Sequence, residues 1–242
     1  MPAIFTSARR FTGEIMDSLD LSAAEHVEAL AGLKRINKIS SVFRQIARPI
    51  LRYARAHHLE HLSLMDIACG GGDVPIALAG ELSRHGIRVD LMLLDRSATA
   101  LAQAGALAKQ SGISCQLFER DANDLKNLEP ADVVTNSLFL HHLEQSGAVI
   151  DFLSSVKNLA RHMVVISDLR RSSLGLAAAW VGCRILSRSY IVHNDGPASV
   201  RAAWTLDELR QLAMRAGMSR AEVHASRPWR MLLVAESQDR AG

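Results

Sequence analysis

A doubly wound α/β fold, in which a mostly parallel sheet carries helices on both faces, is predicted by two observations, and a third places it in the chain. From residue 62 onward, short apolar runs alternate with segments of helical periodicity. The first of those runs passes directly into a glycine turn, Gly70-Gly71-Gly72, and then into a helix. Before residue 62 no strand pattern occurs, so residues 1–61 read as an N-terminal helical cap and residues 62–242 as the core.

Within the cap, Ser22 ahead of Ala23 to Leu33 marks a helix start, and Ser41 opens a second helix. On the second, Phe43, Ile46, Ile50 and Tyr53 form an apolar stripe. Arg44, Arg48, Arg52 and Arg55 recur on another face, which reads as solvated. Pro49 predicts a kink or a division of that helix. Strands are expected at 63–67, 89–94, 114–118, 131–135 and 162–167, with helices beginning near Val74, Ser97, His142 and Phe152. Residues 169–204 form a long excursion, in which His193-Asn194-Asp195-Gly196-Pro197 has the chemistry of a turn. Thr205 to Ala216 reads as a capped helix, and 221–226 with 230–236 as a closing hairpin.

Composition narrows the function. The 242 residues allow one elaborated domain, and 48% hydrophobic with 22% charged residues exclude a disordered or fibrous chain. The longest run without polar side chains, Leu174 to Cys183, stops at Arg184, well short of the ~20 residues that span a bilayer. Arg9 and Arg10 precede any apolar stretch, unlike a secretory signal, so a cytoplasmic protein is expected. Cys69, Cys115 and Cys183 are too scattered for a disulfide framework or a CxxC site; reduced thiols and no metal are expected. A net charge of +3 with 5% aromatics lacks the basic, stacking surface of a nucleic-acid binder.

The chemistry concentrates at strand ends. Asp66 precedes the glycine turn, where a carboxylate repels a pyrophosphate but welcomes an ammonium group, and Pro75 stands where a dinucleotide fingerprint has its last glycine. Asp95, ending the second strand, is placed to accept both hydroxyls of a ribose. Asp121-Ala122, after the third, offers an acceptor for an exocyclic adenine amine and a backbone donor. Singly, Asp66 and Asp95 read equally well as caps of the segments that follow them. Together, three carboxylates at successive strand ends lie along the carboxyl edge of a parallel sheet, where such folds bind ligands.

These motifs, in this order, resemble the class I S-adenosylmethionine-dependent methyltransferases over most of residues 62–236. Asp66-x-Ala68-x-Gly70-x-Gly72 is similar to the family's first motif, with Ala68 at its first glycine position. Leu93-Leu94-Asp95 is similar to the ribose motif and Asp121-Ala122 to the adenine motif. Asp132-Val-Val-Thr-Asn-Ser-Leu-Phe-Leu-His-His-Leu143 resembles the fourth strand of the ubiquinone-biosynthesis-like, small-molecule members, and the run from Arg161 to Asp168 the fifth. The resemblance implies a Rossmann-like sheet of order 3-2-1-4-5-7-6 with an antiparallel seventh strand. It implies S-adenosyl-L-methionine as cofactor, held by Asp66, Ala68, Gly70, Gly72, Asp95, Arg96, Asp121, Ala122 and Asn136. On the cap, Arg35 is the candidate partner of the methionyl carboxylate, with Asn37 beside it. The excursion at about 169–204 is the expected lid over the acceptor, with Arg170 and His193 as substrate contacts.

Methyl transfer needs a positioned nucleophile and an acceptor for its proton. His141 and His142 follow the fourth strand, and one of the two is expected to be the general base. Asp168, at the tip of strand five, is placed to orient that histidine or to bind substrate. The expected acceptor is an oxygen, or a carbon, of a small aromatic or polyketide-like metabolite, with no nucleic-acid partner, no membrane span and the oligomeric state open between monomer and homodimer. The competing readings are a nucleic-acid methyltransferase and a cofactor-binding protein that does not methylate. Asn136-Ser-Leu-Phe139 lacks the Asn/Asp-Pro-Pro-aromatic signature of enzymes that methylate base amines, which disfavours the former.

Overall fold

The computed structural model describes residues 8–15 and 22–237. Two helices, α1 (Ala23–Ser40) and α2 (Val42–Ala56), precede β1 (His61–Ile67), and then strands and helices alternate. The series continues as α3 (Asp73–Arg84), β2 (Arg88–Asp95), α4 (Ala98–Gln110), β3 (Cys115–Glu119) and β4 (Ala131–Ser137). A 3-10 turn, Leu140–His142, leads to α5 (Ser146–Leu159) and β5 (Ala160–Leu169). After β5 come α6 (Ser173–Leu186), α7 (Tyr190–Ala202), α8 (Leu206–Arg215), β6 (Glu222–Ser226) and β7 (Arg230–Glu236).

The seven strands form one sheet of order β3-β2-β1-β4-β5-β7-β6. β1 to β5 are parallel to one another, and β7 runs antiparallel to both β5 and β6. Successive residues of the central strands feed opposite layers, as the two-residue period of a strand requires. Leu64, Val133 and Val165 pack with α2, α3 and α4, while Met65, Val134 and Val164 pack with α5 and α8. That double burial explains why the strands read as continuous apolar runs.

Local signals held at three helix starts. Ser22 Oγ accepts from Glu25 N, Ser97 Oγ accepts from Ala100 N, and Thr205 forms a capping box with Glu208. On α2 the four arginines are exposed while Val42, Ile46, Ile50 and Ala54 are buried. The break between α1 and α2 falls at Ser41, whose backbone is left-handed (φ 48°), and α2 runs on through Pro49. No separate helix starts at Phe152: the segment after His142 is a 3-10 turn followed by α5 from Ser146, with Phe152 buried at its middle.

The larger departure lies in the excursion. His193 to Pro197 is not a turn but the interior of α7. Pro197 costs this helix a backbone bond to His193. What overrides turn propensity is packing: Asp195 Oδ1 accepts from Ile15 N at 3.0 Å, and a Cβ on Gly196 would stand 2.3 Å from Cys183 Sγ on α6. The residues that resemble turn formers are the small and polar ones that let α6 and α7 meet. Among the described residues no helix is long and apolar enough to cross a membrane.

Candidate active site

The parallel order brings the carboxyl ends of β1 to β5 to one edge, and a cavity of about 1110 Å³ opens there. The turn after β1 opens on it through Gly70 and Gly71. Gly70 and Gly72 have positive φ (54° and 74°), and Ala68 shares that conformation at 55°, costing about 1–2 kcal/mol for a residue with a Cβ. Gly72 does not line the cavity: a Cβ there would stand 2.8 Å from Ala104 Cβ, so its role is the close approach of α3 to α4.

Beneath this turn Asp66 is 1% exposed. Its Oδ2 accepts from Thr135 Oγ1 at 2.6 Å, while Oδ1 is buried without a partner. Burial pushes the carboxyl up to about 7, Thr135 opposes the rise, and the charges of Asp73 and Asp95 add to it. A cationic group beside Asp66 would satisfy the orphaned oxygen and restore the carboxylate. Asp95 accepts from Gly70 N at 2.8 Å through Oδ2 and from Ser97 N at 2.9 Å through Oδ1, so it ties the glycine turn to the start of α4. Asp121 Oδ1 accepts from Asn123 N and Nδ2, both at 2.8 Å, and Ala122 is buried beside it. Asp66, Ala68, Gly70, Asp95, Arg96, Asp121 and Ala122 all line the one cavity.

On the β4–β5 side the cavity reaches the histidine pair. His141 is 3% exposed, with Nδ1 2.6 Å from Asp168 Oδ1 and its backbone N donating to Asp168 Oδ2 at 3.2 Å. Asp168 itself stands behind His141, outside the lining. The His142 side chain is 25% exposed and stacks on Phe139. Glu14 meets both rings: Oε1 is 3.4 Å from His141 Nε2 and Oε2 is 3.7 Å from His142 Nε2. Burial opposes charge on His141, but Asp168 and then Glu14 outweigh it and raise the imidazole to about 10. Burial likewise works against both carboxylates, yet the histidine charges and hydrogen bonds hold Glu14 and Asp168 below their ordinary values.

Several expected ligand groups turn elsewhere. Arg35 is exposed and donates through Nε to the Leu186 carbonyl at 2.7 Å, outside the lining, because α1 directs it along its outer face. Asn136 is buried in β4 with Nδ2 donating to Ile67 O at 2.6 Å, which makes it a peg between β1 and β4. His193 Nε2 lies 2.7 Å from Ser187 O and helps close α7 onto the segment after α6. Arg170 lies on the β5–α6 connection, its backbone N donating to Trp229 O at 3.1 Å. None of these four lines the cavity.

Conversely, Glu14 and Arg230 line it without having been singled out. Arg230, 3% exposed at the start of β7, donates to Asn37 Oδ1 at 2.7 Å, and burial lowers its guanidinium to about 10 against the pull of Asp168 and Asp73. Neither residue belongs to a local motif. Each is recognisable only from partners far away in the chain.

The sequence profile of the methyltransferase domain family matches residues 64–163. A ubiquinone biosynthesis O-methyltransferase of Paraburkholderia phytofirmans is 32% identical over 143 residues, which cover 57% of this chain. The match spans only 58% of that relative's length. Among solved structures, magnesium protoporphyrin IX methyltransferase of Synechocystis with bound SAH aligns with a TM-score of 0.56 at 18% identity, over 84% of this chain and 87% of that one. A SAM-dependent methyltransferase of Aquifex aeolicus aligns at 0.52 and 14% identity, over 73% and 82%. At such identities the two structures report the fold.

Proposed function

We propose, from a fold shared with solved methyltransferases and a match to the methyltransferase domain family over residues 64–163, that the chain binds S-adenosyl-L-methionine and methylates an oxygen of a small aromatic or polyketide-like molecule. The observation that carries this reading is the buried, partnerless Oδ1 of Asp66 under a glycine turn, opening on the same cavity as a histidine pair.

The residues fit the cofactor. Asp66 takes its ammonium group, the backbone at Gly70 lies against it, Asp95 takes the ribose hydroxyls with its remaining lone pairs, and Asp121 with Ala122 takes the adenine edge. Arg96 borders the same region. When bound, the cofactor supplies a methyl group already activated on sulfonium sulfur. The chain then has to hold the acceptor, exclude water and receive a proton. Leu138, Phe139, Leu143, Ala179, Ile191 and Val192 line the cavity and suit an aromatic ring rather than a charged polymer. The imidazole of His142 receives the proton of the acceptor hydroxyl. His141, paired on Nδ1 by Asp168, is the fixed member of the pair. In this reading residues 1–61 are a cap, 169–204 a lid, and the protein acts in the cytoplasm on small molecules.

The test is conversion of S-adenosyl-L-methionine to S-adenosylhomocysteine by the purified protein with phenolic, quinol and polyketide acceptors. His142→Ala should lower turnover by a factor of about 10² to 10⁴ while cofactor affinity stays near wild type. Asp95→Ala should weaken cofactor binding by ~1.5–3 kcal/mol. It should also lower stability, since Gly70 N and Ser97 N lose their acceptor. Absence of cofactor binding by calorimetry refutes the reading.

A further inference from the structure

Residues 9–15 form a strap tied at both ends, with Glu14 lining the cavity. Arg9 donates through Nε to Ala202 O at 2.5 Å, through Nη2 to Leu143 O at 2.8 Å, and through Nη1 to Glu144 O. Its guanidinium lies 3.9 Å over the Trp204 ring. At the other end Ile15 N donates to Asp195 Oδ1 on α7. Between these anchors Glu14 is turned inward, where it accepts from Ser199 Oγ and faces both histidines. A carboxylate buried to this degree costs free energy unless it is paired, so its seat on the two rings is what holds it there.

We propose that Glu14, delivered by this strap, is a positioning residue that divides the histidine pair into a fixed cation, His141, and a proton acceptor, His142. This rests on the functional reading above. The geometry makes the division. His141 faces a carboxylate at each ring nitrogen, Asp168 at Nδ1 and Glu14 at Nε2, so both nitrogens act as donors and the ring has no lone pair for a further proton. His142 meets the other Glu14 oxygen at 3.7 Å, close enough to stabilise positive charge arriving on the ring.

The groups facing His141 are Asp168 from β5, Glu14 from the strap and the His142 ring at 4.4 Å. Arg9, which touches the His141 carbonyl, and Arg230 from β7 act on the group through Asp168. Of these, only Glu14 comes from a segment outside the sheet core and its connections. Docking of the strap therefore sets the charge of the site.

The experiment is a nitrogen-resolved NMR titration of the histidine rings in wild type, Glu14→Gln, Glu14→Asp and Arg9→Ala, with no ligand added. In Glu14→Gln the His141 midpoint should fall by about one pH unit or more. Glu14→Asp should keep most of the wild-type value. Arg9→Ala, which retains the carboxylate but frees the strap, should move His141 in the same direction as Glu14→Gln. With S-adenosyl-L-methionine and a phenolic acceptor, Glu14→Gln should move the alkaline limb of the pH–rate profile to lower pH in step with the His141 midpoint, and Glu14→Asp should leave it near its wild-type place. An unchanged His141 titration in Glu14→Gln overturns the proposal. Failure of the wild type to bind S-adenosyl-L-methionine would instead strike the functional reading, and the titration would still decide whether Glu14 sets the charge.

Discussion

His141 and Asp168 are joined twice, ring Nδ1 to Oδ1 at 2.6 Å and backbone N to Oδ2 at 3.2 Å, and both side chains are almost completely buried. One carboxylate thus fixes the position of the residue and the orientation of its ring. The 3-10 turn carrying the histidines is thereby locked to the tip of the neighbouring strand, β5.

That lock has a pH signature. Removing one partner of a buried pair typically costs ~3–5 kcal/mol, so Asp168→Asn should lose stability on that scale near neutrality. Because the folded His141 value is raised to about 10 from ~6.5 in the unfolded chain, its contribution is full below pH ~6.5 and disappears as pH rises through 10. Asp168 has the opposite sense: its depressed value makes its contribution present above pH ~3.9 and lost on acidification. Urea unfolding of wild type and Asp168→Asn should therefore show a gap that narrows between pH 7 and 10.5. A constant gap over that range would mean that the pair is not ionic.

Asp66 makes cofactor binding a protonation event. With its carboxyl raised to about 7, a substantial fraction is protonated at neutrality in the free protein, and an arriving ammonium group favours the ionised form. Binding should release protons near pH 7 and strengthen from pH 6 to pH 8. Calorimetry in buffers of different ionisation enthalpy measures the release directly. In Asp66→Asn the release should vanish and affinity drop by ~1.5–3 kcal/mol. Heats independent of buffer in the wild type would remove Asp66 from the ammonium site.

The contact between Gly196 and Cys183 decides how α6 and α7 pack. Since a Cβ on Gly196 would stand 2.3 Å from the sulfur, Gly196→Ala should destabilise the protein by ~1–3 kcal/mol through overpacking. Cys183→Ala in that background should recover part of the loss, a coupling that a double-mutant cycle by chemical denaturation resolves. Strict additivity of the two changes would show that α7 relieves the clash by shifting as a body.

By itself the sequence determined the sheet and the edge at which the site lies. The central strands were legible because residues such as Met65, Val133 and Val164 lie in a sheet covered on both faces, which leaves apolar runs leading into Asp66, Asp95 and Asp168. Helix starts at Ser22, Ser97 and Thr205 were legible because a cap is a contact over three residues. Tertiary structure alone decided which polar groups face the cavity. Arg35 and His193 carry suitable chemistry but spend it on the Leu186 and Ser187 carbonyls. Glu14, with no motif around it, arrives at His141 from far along the chain. Asp195 and Gly196 carry turn chemistry and lie in a helix, since the strap and Cys183 need a carboxylate and a missing Cβ there. The physical reason is one of range. Backbone periodicity and capping act over a few residues and are written in local order, whereas a buried charge is placed by whatever distant group can pair with it once the chain has packed.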